Sequence, residues 1–417
     1  MRIKQLKMQS FRGIGDLTID FDQKEPTVFI GINGVGKSSI LDAICLLLSY
    51  FMHWIGGIVD SENVKTFNEF DIANKNIITK LDITISYRGE DSWTIYRERD
   101  GVTKVSGHEN RQNACDAIWR HWYNEPQYNI PLIVYYPTNR AVIDIDLEVP
   151  IKPEFKQIDA YDKALAGGRI SFSHLFQWFR NREDIESELR LENNPDYRDK
   201  QLEAVRQAIS SLIPNFTKLR VRRSPLRMTL QKDGEELIVN QLSDGEKCLL
   251  AMVGDLARRL AIANPGLENP LDGFGVVLID EIELHLHPKW QREIIPALTK
   301  TFPHCQFIVT THSPQVIGEI QPQGIYILEK TENGVIAQRP QSSYGRDSNQ
   351  ILEDLMDVPE RKQEIKNRFL ELFRLIDNGN IAEARKLKQS LEQDIGYNDP
   401  DFASADVLIR RREILGR

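Results

Sequence analysis

Little in this chain invites a disulfide or a thiolate metal site. Only 4 cysteines occur in 417 residues, Cys45, Cys115, Cys248 and Cys305. They are scattered without metal-ligand spacing, which reads as a reducing, intracellular setting. An excess of positive charge is also missing. Lys and Arg number 53 against 61 Asp and Glu, for a formal net charge of −8. That balance speaks against a wholesale nucleic-acid coat, although a local basic groove stays open. No signal-peptide pattern follows Met1, and no internal repeat or low-complexity tract occurs. Long uncharged hydrophobic runs are absent too. Ile40 to Ile58 comes nearest, but it holds Asp42 and His53 and trails a glycine-rich turn. A spanning helix needs about 20 largely uncharged residues. A buried helix is therefore the expectation, with a cytoplasmic location and no membrane partner.

What is present is globular: 41% hydrophobic and 27% charged residues, with length for two or three folding units. Strand patterns open the chain. Ile3, Leu6 and Met8 alternate in part, Leu17 to Phe21 alternates, and Val28-Phe29-Ile30 is a short apolar run. Leu81 to Tyr87 and Trp93 to Tyr96 suggest a meander turning near Gly89, and Leu132 to Tyr136 a buried strand. Residues from Ile151 to Pro214 turn helical and charged, and Thr217 to Leu230 returns to strand. A long helix is expected from Asp244 to Ala263, stopped by Asn264-Pro265-Gly266. The apolar runs Val276 to Ile279 and Phe307 to Val309, with a helix around Trp290 to Thr299 between them, indicate a parallel sheet covered on both faces. Asn333-Gly334 signals a hairpin. Beyond it, two apolar stripes joined by Asp377-Asn378-Gly379-Asn380 predict a helical hairpin.

Four motifs carry chemistry. Gly31-Ile32-Asn33-Gly34-Val35-Gly36-Lys37-Ser38 follows an apolar strand and opens a helix. Its glycines let amide groups face phosphate oxygens at a helix N-terminus, with Lys37 on the β- and γ-phosphates and the Ser38 hydroxyl on Mg²⁺. Val276 to Ile279 ends in Asp280-Glu281, carboxylates at the edge of an open α/β sheet. Asp280 suits a Mg²⁺ shell, and Glu281 suits a base that takes a proton from water. One apolar strand further on, His312 stands where a ring nitrogen can reach a γ-phosphate oxygen. Finally, Ser243 and Glu246 form a capping box in Gln241-Leu242-Ser243-Asp244-Gly245-Glu246. That box leaves Gly245 unexplained, because glycine in a first helical turn costs about 1 kcal/mol relative to alanine. A close approach of phosphate to the backbone is the expected reason. His285 and His287 lack the spacing of a helical metal pair and are read as part of a contact loop.

This order of phosphate loop, Ser-Asp-Gly-Glu loop, acidic strand end and histidine resembles the ABC-type P-loop ATPases, in their soluble SMC/RecF/OLD-like branch. The likeness runs over roughly residues 1 to 345. It implies an α/β ATPase domain, mainly a parallel sheet with an antiparallel β subdomain, a helical insertion and a C-terminal helical region. The expected boundaries are 1–150, 151–215, 216–345 and 346–417. It also implies ATP and Mg²⁺ as ligands, and a dimer or multiple of dimers in which the signature loop of one copy closes over ATP held by another. Carried over, Asn33, Gly34, Gly36, Lys37, Ser38 and the adjoining Ser39 touch nucleotide. Ser243, Gly245 and Glu246 belong to the signature loop, Ser38 and Asp280 to the metal, and Glu281, His312 and Lys37 to catalysis. Arg12, in Ser10-Phe11-Arg12-Gly13, matches a position near the nucleotide. Glu283 to Pro288 covers the dimer-facing loop.

The pattern departs from the family in three places. Asp244 stands where the signature usually has a second glycine. Pro137-Thr138-Asn139-Arg140 stands where a glutamine is usual, with Asn139 as the expected replacement. The insertion is too short for coiled-coil arms. Small ATPases of this branch resemble the Septu and retron-associated anti-phage ATPases, which implies a separately encoded nuclease as partner. Lys218, Arg220, Arg222, Arg223 and Arg227 offer a DNA or RNA contact, as in a RecF-like repair ATPase, or equally a solvated strand or a surface for an acidic partner. A nuclease centre within the chain is not expected, since Asp399-Pro400-Asp401 is the sole late Asp-x-Asp and no apolar strand precedes it.

Overall fold

A computed structural model describes residues 1–55, 65–107 apart from 75 and 88, 115–140 apart from 116, 117, 119 and 126, and 155–415 apart from 193. The chain divides into two compact units, Met1–Asp347 and Ser348–Arg417.

The larger unit is built on three sheets. Strands β1 (Arg2–Gln9), β2 (Leu17–Asp20), β4 (Ile78–Ser86), β5 (Glu90–Glu98) and β6 (Thr103–Ser106) form an antiparallel sheet ordered β2-β1-β4-β5-β6. One face is buried and one is wet, so inside and outside residues alternate along β4 and β5. The alternation is only partial in β1 because its register against β4 shifts between Ile3 and Gln5. The second sheet runs β14-β13-β3-β12-β11-β7, from β3 (Thr27–Ile30), β7 (Leu132–Tyr136), β11 (Gly275–Ile279), β12 (Cys305–Thr310), β13 (Ile325–Thr331) and β14 (Gly334–Gln338). All its pairs are parallel except β13 with β14. Strands β3, β7, β11 and β12 are buried at every residue, which is why their sequences read as mostly apolar runs, interrupted in β12 by Gln306. Buried Gln306 of β12 ties the two sheets: its Oε1 accepts from the Ile3 amide at 2.6 Å and its Nε2 donates to the Ile3 carbonyl at 2.9 Å. A small antiparallel sheet, β10-β9-β8, comprises β8 (Phe216–Arg223), β9 (Leu226–Lys232) and β10 (Glu235–Ile238).

Helix α1 (Lys37–Trp54) is buried along almost all its length. Trp93 of β5 stacks on its Phe51, with ring centroids 5.9 Å apart, and donates to the Leu47 carbonyl. Among the described residues no helix is long and apolar enough to cross a membrane. The inserted helices α2 (Phe172–Glu192) and α3 (Lys200–Leu212) belong to the same unit as the sheets. Residues 151–154 of the expected insertion lie outside the described residues. Helix α4 (Asp244–Ala263) buries most of its surface, and Gly254 admits Leu175 of α2 so closely that a Cβ would stand 2.6 Å from its Cδ2. Helices α5 (Pro288–Thr301) and α6 (Pro314–Ile317) follow β11 and β12.

One turn differs from its sequence reading. Thr331 pairs directly with Gly334, so Glu332 and Asn333 are the two loop residues and Gly334 opens β14. Gly334, at φ 133°, is glycine because a Cβ there would lie 2.4 Å from the Ile14 carbonyl oxygen.

The C-terminal unit holds α7 (Ser348–Met356), α8 (Gln363–Asp377), α9 (Ile381–Ile395) and α10 (Pro400–Leu415). The expected hairpin of α8 and α9 is present, and α10 completes it. Phe402, Ala405 and Ile409 join Phe369, Leu372, Ile376, Ala384 and Leu391 in one core. Asp399 and Asp401 open α10, and both pair with Arg361.

Candidate active site

The phosphate loop joins β3 to α1. Gly31, Gly34 and Gly36 take φ values of 144°, 76° and 114°, a region that side chains other than glycine's rarely occupy. Gly36 caps α1 without any side-chain bond, which leaves the first amides of the helix for an anion. Lys37 is buried, and its ammonium folds back on the loop, donating to the Gly31 carbonyl at 2.8 Å and the Ile32 carbonyl at 3.1 Å. Burial lowers its pKa, opposed by the charges of Asp280, Glu281 and Glu283. Asn33, Gly34 and Ser38 are exposed on this loop.

Arg12, at φ 50°, reaches the first turns of α1. It donates to Asp42 at 2.7 Å, to Asp71 at 3.0 Å and to the Ser39 hydroxyl at 3.4 Å. Desolvation acts to lower its pKa, but Asp42 and Asp71 outweigh it and hold the guanidinium charged.

The acidic end of β11 lies two strands from β3, with β12 between them. Asp280 is buried, and its Oδ1 accepts from the Thr310 hydroxyl at 2.5 Å. The same hydroxyl accepts from the Glu281 amide at 2.7 Å. Glu281 has φ 47°, so the chain turns sharply as it leaves the strand. Glu283 holds the next loop. One of its oxygens accepts from the Thr311 hydroxyl at 2.7 Å and the other from the His312 amide at 2.5 Å. The Thr311 amide donates to the Phe29 carbonyl, so the half-buried His312 follows a residue bonded to the phosphate-loop strand.

Ser243 caps α4 and shares the expected box with Glu246. Glu246 is itself buried, and its second oxygen pairs with Lys232 at 2.6 Å, so Lys232 and Ser243 hold its carboxyl below the ordinary value against desolvation. Its atoms are thus engaged in the cap, whereas Ser243 and Asp244 are exposed. The reason for Gly245 differs from the expectation. What approaches its backbone is the His285 carbonyl, 2.3 Å from where a Cβ would stand. His287 caps α5, its Nδ1 accepting from the Lys289 amide. No group of three or more His, Cys, Asp or Glu able to hold a metal occurs among the described residues.

Two further outcomes were not legible in the sequence. Asn139 is exposed, and Arg140 is the residue that turns inward, donating to the Glu281 carbonyl at 2.6 Å. The basic strand is largely neutralised: Arg220 and Arg222 share Glu236, while Arg223 pairs with Glu183 and Asp184.

An AAA-domain family model matches residues 5–216. A second, described as "AAA domain, putative AbiEii toxin, Type IV TA system", matches residues 155–318. The Retron Ec83 probable ATPase of Escherichia coli is 32% identical over 483 aligned positions, covering 99% of this chain and 87% of the relative. The chain belongs to the AAA-domain retron ATPase family. The Retron Vc95 probable ATPase of Vibrio cholerae serotype O1 biovar El Tor is 29% identical over 80% of this ATPase and 74% of its own length. Septu protein PtuA of Bacillus thuringiensis is 23% identical over 86% and 85%. Among solved structures, the SMC head bound to the C-winged helix domain of ScpA aligns with a TM-score of 0.50 at 15% identity, covering 82% of this ATPase and 98% of that chain. The fold is therefore that of an SMC head, and the SMC/RecF-like resemblance of the motifs holds.

Proposed function

We propose that this ATPase binds and hydrolyses ATP between two copies of the chain and thereby regulates a separately encoded nuclease in anti-phage defence. The observation that carries the reading is the convergence of Lys37 with the acidic end of β11. A buried ammonium rests on its own loop carbonyls, within electrostatic reach of Asp280, Glu281 and Glu283. Lys37 would exchange the carbonyls of Gly31 and Ile32 for β- and γ-phosphate oxygens, while the amides of Asn33 to Ser38 surround the phosphates. Glu281 would take the proton from the attacking water, and the His312 ring would hydrogen-bond the γ-phosphate.

The residues present fit Mg²⁺. Among the described residues, neither the second Asp280 oxygen nor the Ser38 hydroxyl has a hydrogen-bond partner, and both are the hard oxygen ligands this ion prefers. Bound Mg²⁺ would screen the phosphate charge as the γ-phosphoryl group transfers. Ser243 and Gly245, at the exposed start of α4, would close on the nucleotide of the second copy. The retron and Septu names of the relatives support the link to defence.

The test is a pull-down from the native host with tagged Glu281→Gln, ATP and Mg²⁺, together with the mass of the complex. A dimer or multiple of dimers carrying a stoichiometric nuclease is the expected result. A monomer with ATP bound sinks the sandwich, and nucleic acid without a protein partner replaces the defence reading with RecF-like repair.

A further inference from the structure

A buried cation beside the acidic strand end has no part in the roles above. Arg140 is 3% exposed, and among the described residues it forms no ion pair with a carboxylate. Its donors go to backbone carbonyls instead. Nη1 bonds the carbonyls of Pro137 and Asp280, and Nη2 bonds that of Glu281. One planar guanidinium thus spans the carbonyls of the two consecutive acidic residues, a geometry that the point charge of a lysine does not reproduce.

The residue being held is unusual. Glu281 sits at φ 47°, in the left-handed region where a side chain crowds the following carbonyl. Both of its backbone polar groups are taken: the amide by the Thr310 hydroxyl at 2.7 Å, the carbonyl by Arg140 at 2.6 Å together with the Leu284 amide of its own turn at 2.9 Å. Thr310 also fixes Asp280 through Oδ1, and the Asp280 amide donates to the Tyr136 carbonyl at 2.9 Å. A strained conformation persists where its surroundings over-determine it. Here β12 supplies one arm of the clamp and the loop after β7 supplies the other.

We propose that Arg140 is a positioning residue for ATP hydrolysis, which with Thr310 holds the Asp280–Glu281 backbone in its left-handed turn and so sets where the Glu281 carboxylate stands. The proposal rests on the roles given to Asp280 and Glu281 above. Arg140 touches neither nucleotide nor water in it, and acts through the backbone alone.

Arg140→Lys keeps the charge but loses the fork, and Thr310→Val keeps the shape but loses the hydroxyl. Both are measured for kcat, KM and the number of ATP-analogue binding sites, beside wild type and Glu281→Gln. Misplacing a reacting group by about 1 Å costs on the order of a hundredfold in rate. The expected result is a kcat lowered by about that factor in each variant, with the site number and analogue affinity unchanged. Because both arms hold one residue, the double variant should turn over no more slowly than the worse single. Methylguanidinium should restore part of kcat to Arg140→Ala. Wild-type kcat in Arg140→Lys overturns the proposal, as does a loss of rate that merely tracks a loss of binding sites. Wild-type hydrolysis by Glu281→Gln would instead remove the assigned role of Glu281, whereas a stalled Glu281→Gln beside normal Arg140 variants removes only the clamp.

Discussion

Gly245→Ala puts two physical effects in direct opposition at the start of α4. Alanine is the better helix former, so substitution in the first turn gains up to about 1 kcal/mol. Against this, the new Cβ would stand 2.3 Å from the His285 carbonyl oxygen, closer than the 3.0 Å that real Cβ contacts respect. One backbone must retreat by about 0.7 Å to reach even that limit. The obstacle is main chain, so no side chain can swing aside. Overpacking of this kind costs about 1–3 kcal/mol, and a contact this short belongs at the upper end. The net expectation is a loss of about 2 kcal/mol. Gly234 gives the control, with φ 91° and nothing within 4 Å of its would-be Cβ. Its alanine variant should lose about 1–2 kcal/mol from left-handed strain alone. Urea denaturation of both variants, followed by ATPase assay, separates the cases. The retreating His285 lies two residues beyond Glu283 in the loop that leaves Glu281, so kcat in Gly245→Ala should fall as well. A Gly245→Ala protein more stable than wild type refutes the reasoning. It would mean that helix propensity wins, that the His285 contact is slack, and that phosphate approach is the better reason for this glycine.

Other outcomes follow from single side chains. Lys37→Ala should abolish nucleotide binding in a calorimetric titration, and an unchanged Kd removes the phosphate role of the ammonium. Glu283→Gln keeps one acceptor oxygen for the two donors on Thr311 and His312, so one bond is lost at a cost of about 1 kcal/mol; kcat should drop well before stability does, and an unchanged kcat argues against Glu283 as the anchor of the His312 loop. Asp255 is buried in α4 and accepts from Arg258 at 2.7 Å, Arg259 at 2.7 Å and the Tyr136 hydroxyl at 3.0 Å. Asp255→Ala strands two buried guanidinium groups and should cost about 3–5 kcal/mol in denaturant; a loss under about 1 kcal/mol, as for an exposed pair, would contradict the burial. Despite desolvation, Arg259 and Arg258 hold the Asp255 carboxyl far below the carboxylate range. A depressed folded pKa gives stability that is present above the unfolded value of about 3.9 and fades only as pH falls toward the folded one. The gap between wild type and Asp255→Ala should therefore hold from pH 7 to pH 5 and shrink as pH falls below about 4, and a gap that stays constant on further acidification would place this carboxyl near its ordinary value.

Elements defined by local chemistry were legible from residues alone. The mostly apolar runs of β3, β7, β11 and β12, the capping box of α4 and the glycines of the phosphate loop each state their structure through burial, capping or φ, which neighbours in sequence determine. The order of four motifs likewise carried the family. Near misses came where a long-range neighbour decided. The uneven pattern of β1 needed a register shift against β4, and α10 needed the core of α8 and α9 before its three buried residues made sense. Glu236, Glu183 and Asp184 lie outside the basic strand that they neutralise, so that strand looked freer in sequence than it is.

What the sequence determined by itself is the family and the local chemistry: an SMC/RecF-like ATPase whose phosphate loop and acidic strand end are carried on a mainly parallel sheet. Only the tertiary structure decided the reasons for particular residues. Gly245 answers to a carbonyl forty residues away, Gly334 to the carbonyl of Ile14, and Arg140 rather than Asn139 faces the acidic strand end. Backbone carbonyls are the same at every residue and leave no mark in a sequence. Contacts made to them can be read only once the chain has been brought together in space.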